Sequence, residues 1–156
     1  MGIAVLPVVL IESAIVHKPM SIPVRRVFLD VGVANVCTTI LGVPLAWGVM
    51  LGLHMLTTGG SALGMDTPAK MLAAVTLQAA WLIPYEDHLF WMIPAAATVL
   101  LIPCFWASVI IERWVLVRRW RDHERRAVFS AVFRANVWSY LFLFAAGSLW
   151  LVFSVR

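Results

Sequence analysis

The sequence predicts an all-α, polytopic integral membrane protein with four transmembrane helices. Three observations support this fold class: the composition is 62% hydrophobic and 13% charged, the apolar runs are continuous, and the basic residues concentrate in two links. A water-soluble protein of 156 residues needs more polar surface than this composition supplies. Membrane helices need about 20 mainly apolar residues, whereas barrel strands alternate, so continuous runs indicate helices.

The first two apolar runs are joined by a turn-rich basic link. Residues 3–16 form a short run that contains Pro7 and Glu12, and the link HKPMSIPVRR follows it. The second run, 27–56, is longer than a bilayer requires. We therefore expect this helix to tilt, to bend near Pro44 or to project beyond the membrane.

The second half of the chain contains three more apolar runs. Residues 69–83 fall short of a full crossing, while 89–111 and 127–155 are long enough for one. Between the last two runs, the stretch ERWVLVRRWRDHERR is predicted to be a basic, helical extension.

Charge placement predicts the topology. Nine of the twelve Lys and Arg residues lie in two links: Lys18, Arg25 and Arg26, then Arg113, Arg118, Arg119, Arg121, Arg125 and Arg126. Because basic links stay in the cytoplasm, an even number of crossings should separate them. Residues 69–83 are therefore predicted to form a re-entrant or interfacial helix on the outer face of the inner (plasma) membrane, with both termini outside the cytoplasm. The alternative of five crossings would leave six arginines on the opposite side.

An internal repeat is the second architectural signal. RVFLDVGVANV at 26–36 resembles RAVFSAVFRANV at 126–137 at an offset of 101, and LIE, ending at Glu12, resembles IIE, ending at Glu112. These matches predict two helical hairpins within a single membrane domain, 1–156, with repeat 1 at 3–56, an outer connecting segment at 57–88 and repeat 2 at 89–155. Because both links share a side, the repeats should be parallel, related by a pseudo-twofold axis along the membrane normal.

Glutamate and asparagine recur at matching positions of the two predicted hairpins. Glu12 and Glu112 are expected just inside the cytoplasmic boundary, where a bare carboxylate is costly but a link arginine can reach it. An ion pair that pins each hairpin is favoured there over proton handling or ion coordination. Asn35 and Asn136 are expected near mid-membrane, where an amide needs hydrogen-bond partners.

Small and hydrogen-bonding residues extend from each asparagine along one helical stripe. The stripes are Asn35, Thr38, Thr39, Gly42 and Ala46, and Asn136, Ser139, Tyr140 and Gly147. Such stripes are typical of membrane helix contacts, worth about 0.6–2 kcal/mol per hydrogen bond, so helix packing is favoured over a substrate site. Gly48 and Gly52, a G-x-x-x-G pair, predict a second close-approach surface.

Asp30 and Arg134 break the symmetry of the repeat, since neither has a charged counterpart in the other copy. Both are expected in the cytoplasmic half of their spans. We expect them to pair with each other or with the glutamates, as a structural salt bridge rather than a transport element.

Residues near the membrane surfaces suggest lipid or partner contacts. The arginines Arg25, Arg26, Arg118, Arg119, Arg121, Arg125 and Arg126 are predicted to contact anionic lipid headgroups or an acidic partner, and no nucleic acid is expected. Trp81, Trp91 and Trp150 fit an outer aromatic belt, and Trp114 and Trp120 fit an inner one.

Metal or cofactor binding is not expected from the sequence. His54 and His88, expected on the outer face with Met55, Met65, Glu86 and Asp87, could ligate haem or copper, but no tight ligand spacing supports this, so interfacial histidines at helix ends are favoured.

The sequence contains no recognisable enzymatic site, and three functional classes remain. The favoured hypothesis is a non-catalytic accessory or scaffolding subunit of a larger membrane complex, because the outer half of each predicted span is nearly pure hydrocarbon. The alternatives are a small transporter or channel with a polar site between the repeats, and a haem- or copper-binding electron-transfer subunit. The expected partners are membrane lipids and other integral membrane subunits.

Overall fold

The computed structural model describes residues 2–61, 63–77 and 86–155, and these residues are helical apart from short turns. The α-helices are α1 (Gly2–Met20), α2 (Val24–Cys37), α3 (Val43–Thr58), α4 (Pro68–Thr76), α5 (Leu89–Arg119) and α6 (Arg125–Val155). A π-helical turn, Thr38–Gly42, joins α2 to α3, and a 3₁₀ turn, Glu86–His88, precedes α5. No strand occurs in the described ranges.

Three helical stretches are long and apolar enough to cross a membrane: Val24–Thr58, Leu89–Arg119 and Arg125–Val155. These stretches confirm the expectation of an all-helical, multi-pass membrane protein. The basic stretch after residue 111 is helical through Arg119, as predicted, and a turn separates it from α6.

The longest of these stretches changes its helical geometry where a bend was expected. Pro44 has no N–H to donate to the carbonyl four residues earlier, and its ring would clash with that carbonyl. The π turn directly before it resolves this conflict, because Val43 donates its N–H to the Thr38 carbonyl, five residues back. The Thr39 hydroxyl donates to the Asn35 carbonyl at 2.9 Å and satisfies a further backbone acceptor.

The third apolar run forms a short helix over its described part. α4 has nine residues and begins at Pro68, and the hydroxyl of its N-cap residue Thr67 accepts from the Lys70 N–H at 3.3 Å. At about 1.5 Å per residue this helix is far shorter than the hydrocarbon core. The remainder of the run, 78–83, lies outside the described residues. Beside the helix start, the hydrogen bond from the Lys70 ammonium lowers the pKa of the Asp66 carboxyl.

Two compact units are present, one formed by Met1–Val43 with Cys104–Leu143 and the other by Pro44–Pro103 with Phe144–Arg156. In the first unit, parts of α1, α2, α5 and α6 surround a buried core of aliphatic side chains and Trp120. In the second unit, Ala74 and Val75 of α4 pack with Met92 and Ala96 of α5.

Burial in the first unit follows the sequence offset seen earlier. On α2 with the π turn and on α6, the buried pairs that lie 101 positions apart are Val27 and Val128, Asp30 and Ala131, Val31 and Val132, Ala34 and Ala135, Asn35 and Asn136, and Thr38 and Ser139. On α1 and α5 the pairs that lie 100 positions apart are Val9 and Val109, Glu12 and Glu112, and Val16 and Leu116. Most buried positions of one helix thus have a buried counterpart on the other, although Ser13 is buried and Arg113, 100 positions later, is exposed.

Gly42 lets α5 approach the π turn closely. A Cβ atom at this position would lie 3.2 Å from Thr38 Cγ2, 3.3 Å from Ile111 Cδ1 and 3.4 Å from Ala107 Cβ. By contrast, no atom lies within 4 Å of a Cβ built on Gly48 or Gly52. The close approach predicted for Gly48 and Gly52 is therefore not made to any residue that the structure describes.

Candidate functional site

The Glu12 carboxyl group lies in the core of the first unit, where it joins three helices. The residue is 1% exposed. Asn35 of α2 donates from Nδ2 to Glu12 Oε2 at 2.6 Å, and Ser139 of α6 donates from Oγ to Oε1 at 2.7 Å. Both carboxyl oxygens of this buried acid are therefore satisfied by neutral donors.

The Glu112 carboxyl group of α5 has a corresponding environment. It is 3% exposed, and Asn136 Nδ2 donates to its Oε2 at 2.7 Å. The Thr38 side chain lies beside it and interacts with it electrostatically, although the hydroxyl does not meet hydrogen-bond geometry. Each glutamate therefore accepts a hydrogen bond from an asparagine and has a hydroxyl-bearing residue beside it, and these two residues, Thr38 and Ser139, are 101 positions apart.

Both asparagines are held by a second bond from the same amide nitrogen. Asn35 Nδ2 also donates to the Val31 carbonyl, and Asn136 Nδ2 to the Val132 carbonyl, each at 3.1 Å. An amide nitrogen carries two hydrogens, so one anchors the side chain to its own helix and the other is directed at the glutamate. The bond to its own helix therefore holds each amide donor in position to face the glutamate.

The two glutamates converge at one level of the unit. Asn136 and Ser139 are three residues apart on α6, which is less than one turn, and they contact Glu112 and Glu12 respectively. The two carboxyl groups also interact with each other electrostatically. We call Glu12 and Glu112 the carboxylate pair, and the six side chains Glu12, Glu112, Asn35, Asn136, Thr38 and Ser139 the polar cluster.

Two oxygen atoms of the polar cluster are buried and have no hydrogen-bond partner. They are Thr38 Oγ1 and Asn136 Oδ1. Leaving such an atom unsatisfied costs about 1–3 kcal/mol, so a buried oxygen without a partner calls for an explanation such as strain, a functional role, or a bound water or ion. Here both belong to residues that contact Glu112, which makes the cluster rich in oxygen ligands.

The ion pairs expected for the glutamates are not formed. Within the described ranges, no Lys, Arg or His nitrogen lies within 4.0 Å of either carboxyl group; the ion pairs found involve Asp30 and Asp66. The physical reason is that the link arginines keep their guanidinium groups at the surface, where some of them contact Asp30 or an aromatic ring, while amide and hydroxyl donors already occupy the buried acceptors.

Asp30 forms a separate contact near the basic links. Arg119 Nε lies 2.9 Å from its Oδ1, Arg26 Nε lies 3.8 Å from its Oδ2, and Trp120 Nε1 donates to Oδ2 at 2.7 Å. The expected pairing with Arg134 or the glutamates is therefore wrong. Arg134 is exposed and donates only to the Ser130 carbonyl, at 3.3 Å, because its long side chain reaches the surface from this position.

The expected place of Trp120 in an inner aromatic belt needs correction. Trp120 is 1% exposed and bound to Asp30, so it belongs to the core rather than to an interfacial belt, whereas Trp114 is 56% exposed. His54 is fully buried, with its Nδ1 3.2 Å from the Thr58 hydroxyl and no partner for its Nε2 among the described residues. His88 is half-buried and forms an edge contact with Trp91.

Among the described residues, no group of three His, Cys, Asp or Glu side chains is arranged to hold a metal ion. The haem or copper hypothesis therefore gains no support from the geometry. Comparison of the chain with protein-family models, with curated proteins and with solved structures found no match.

Sequence reasoning selected four of the six members of the polar cluster as site residues, and the structure brings those four together. Thr38 and Ser139 were assigned to helix packing only. The sequence does contain a signal for these two residues: both carry a hydroxyl, and they lie 101 positions apart, the same offset that relates the two asparagines.

Proposed function

We propose that the protein is a small membrane transporter whose carboxylate pair binds and releases a positive charge, carried by a proton or by a monovalent metal cation. The observation that carries this proposal is the burial of Glu12 and Glu112 together, with hydrogen bonds from amides and a hydroxyl and no cationic side chain within 4.0 Å among the described residues. Ionisable residues inside a membrane generally mark ion or proton pathways.

Electrostatics gives the reason for a positive ligand. Two carboxylates in a medium of low dielectric repel each other, and the loss of hydration adds several kcal/mol for each charge, by order of magnitude. Hydrogen bonds to an amide or a hydroxyl offset part of that cost but carry no net charge. A shared proton or a bound cation removes the repulsion, and a site of carboxylate, amide and hydroxyl oxygens suits a hard cation.

We further infer a four-span architecture of two parallel hairpin repeats. The 19 residues of α1 extend about 28 Å at 1.5 Å per residue, which is close to the hydrocarbon thickness. The matched burial and the two equivalent Asn–Glu bonds support the repeat. In this architecture both basic links face the cytoplasm of a cell with the protein in its inner membrane, both termini lie outside, and transport requires opening the carboxylate pair to each side in turn.

Ion flux into liposomes tests the proposal. Purified protein is reconstituted, and proton and sodium uptake are followed separately with a pH dye and a sodium tracer. We expect Glu12→Gln and Glu112→Gln each to reduce the flux of the transported ion at least about tenfold, since a neutral amide no longer requires a positive partner. The matched control is Glu124→Gln, which changes an exposed glutamate of the second link and should leave flux unaltered.

A second measurement keeps this test decisive if the glutamate variants do not fold. A hydrophobic carbodiimide reacts with buried carboxylic acids in the wild-type protein, and a cation that occupies the site should slow that reaction. Wild-type liposomes without proton or sodium flux, together with carbodiimide labelling that neither sodium nor pH alters, would show that the pair is only a structural contact.

A second candidate function is the accessory subunit of a larger membrane complex. The open face at Gly48 and Gly52 favours it, because small residues without neighbours within 4 Å allow a helix of another chain to approach closely. We expect Gly48→Leu with Gly52→Leu to release the protein from a larger assembly extracted in mild detergent, while Val49→Leu, on the same exposed helix, leaves the assembly intact. A wild-type protein that elutes alone would exclude this role.

A further inference from the structure

A groove of about 290 Å³ lies where α5 meets the start of α6 in the first unit. Its walls are formed by Ile110, Arg113, Trp114, Val117 and Arg118 of α5 and by Arg125 of α6. Three guanidinium groups, one large aromatic ring and two aliphatic side chains therefore border the same space. None of these residues belongs to the polar cluster.

Aromatic rings, rather than acids, hold two of the guanidinium groups. Arg118 Cζ lies 3.8 Å from the centre of the Trp114 ring, and its Nη1 donates to the Trp114 carbonyl at 3.1 Å. Arg113 Cζ lies 5.1 Å from the centre of the Phe129 ring. Stacking on a ring restrains a guanidinium group but leaves most of its N–H donors available for an anion.

The positive charge of the groove is not neutralised by the protein. Within the described part of the chain, none of Arg113, Arg118 and Arg125 has a carboxylate oxygen within 4.0 Å. Glu112, next to Arg113 in sequence, is buried in the polar cluster, and the link acids Asp122 and Glu124 are exposed and form no ion pair within the described ranges. A ligand with negative charge is therefore the complement of this surface.

The position of the groove sets a second requirement for its ligand, besides negative charge. Ile110 lies at the end of the apolar run of α5 and Val117 lies within its basic extension. In the membrane placement proposed above, the groove therefore passes from hydrocarbon to headgroup level. We propose that it binds the phosphate headgroup of an anionic phospholipid, with the start of an acyl chain against Ile110 and Val117. A free phosphate shares the headgroup chemistry but has no group for the aliphatic wall.

The test compares lipid binding to two variants of equal net charge by native mass spectrometry of the full chain in mild detergent. The groove variant combines Arg113→Gln, Arg118→Gln and Arg125→Gln, and the control combines Arg25→Gln, Arg126→Gln and Arg134→Gln, all exposed arginines outside the groove. We expect phosphatidylglycerol affinity to fall at least about tenfold in the groove variant and less than about threefold in the control.

Three results would overturn the proposal: equal losses in the two variants, displacement of the lipid by inorganic phosphate at the same concentration, or displacement by an acidic peptide at the same concentration. If the groove variant does not fold, the wild-type protein still decides the question. It should bind phosphatidylglycerol at least about tenfold more tightly than phosphatidylcholine with identical acyl chains, and equal affinity would contradict the assignment.

Discussion

Ser139 donates a 2.7 Å hydrogen bond to the Glu12 carboxyl group, although 127 positions of the sequence separate the two residues. The bond links α1 to α6, while the Asn35–Glu12 bond links α1 to α2. The environment of the Glu12 carboxyl group is therefore complete only when helices from both halves of the chain have packed together. This contact gives the first prediction.

Replacing Ser139 with Ala should lower the free energy of unfolding by about 1.5–3 kcal/mol, because Glu12 Oε1 loses its buried donor. The matched control on the same helix is Ser154→Ala. Ser154 is half-buried, and its one hydrogen bond among the described residues goes to the Trp150 carbonyl of its own helix, so its loss should change stability by less than about 0.5 kcal/mol. Thermal unfolding in detergent measures both, and equal shifts would show that the Ser139–Glu12 bond contributes nothing specific.

The second prediction concerns the two amide donors. Asn35→Ala and Asn136→Ala each remove one bond to a buried carboxyl group and one to a helix carbonyl, and each should cost at least about 1.5–3 kcal/mol. Because the two environments correspond, the two losses should agree within about 1 kcal/mol. A large cost at one asparagine with none at the other would argue against equivalent sites.

The polar cluster shows how far a sequence can define a buried site. Helical spacing identifies Asn35 and Thr38 as members of one face, and burial of both agrees with that expectation. Spacing does not say which helix that face meets, since the choice depends on the packing of all four helices of the unit. The contact between Glu12 and Ser139 therefore could not be predicted from the sequence, although each residue could be identified separately.

The partner of each glutamate was mispredicted for an electrostatic reason. Opposite charge suggested an arginine partner for each glutamate. Moving a guanidinium group from the surface into the core, however, costs more hydration free energy than the buried ion pair returns. Asp30 does recruit Arg119, because it lies at the level of the basic links, where the head of Arg119 remains 41% exposed while it makes the contact. Depth along the helix, rather than charge alone, decides which acid binds an arginine.

The Asp30 contact gives the third prediction. Asp30→Asn keeps the size of the side chain but removes the charge that faces Arg119, and it should lower the free energy of unfolding by about 1.5–3 kcal/mol. The control is Asp66→Asn, which removes an ion pair to Lys70 with both side chains exposed and should leave the melting temperature unchanged. Equal melting temperatures for Asp30→Asn and the wild type would contradict a stabilising role for this contact.

The fourth prediction contrasts two glycines of the same long helical stretch. Gly42→Ala places a methyl group 3.2–3.4 Å from Thr38, Ile111 and Ala107, so it should destabilise the protein by about 1–3 kcal/mol through overpacking. Gly48→Ala meets no atom within 4 Å and should be neutral or stabilising by up to about 1 kcal/mol, since Ala favours the helix. Thermal unfolding of the two variants separates these outcomes, and an equal response would exclude the close approach at Gly42.

The last prediction concerns the number of crossings between the two basic links. Single cysteines are introduced at Ser61, Asp87 and Asp122, all exposed, in a protein whose Cys37 and Cys104 are replaced by Ala. These positions leave every Lys and Arg in place, so the charge signal that sets topology is unchanged. A membrane-impermeant maleimide should label the Ser61 and Asp87 variants in intact cells, and the Asp122 variant only after permeabilisation.

This pattern follows from an even number of crossings between the links, with the chain leaving and returning on the outer face between positions 61 and 87. α4 supports the expectation, because its nine residues are too few to cross the hydrocarbon core. Five crossings would put Ser61 and Asp87 on opposite sides, so that only one of them would react in intact cells. Labelling of Asp122→Cys in intact cells would instead place the second basic link outside and remove the basis for parallel hairpins.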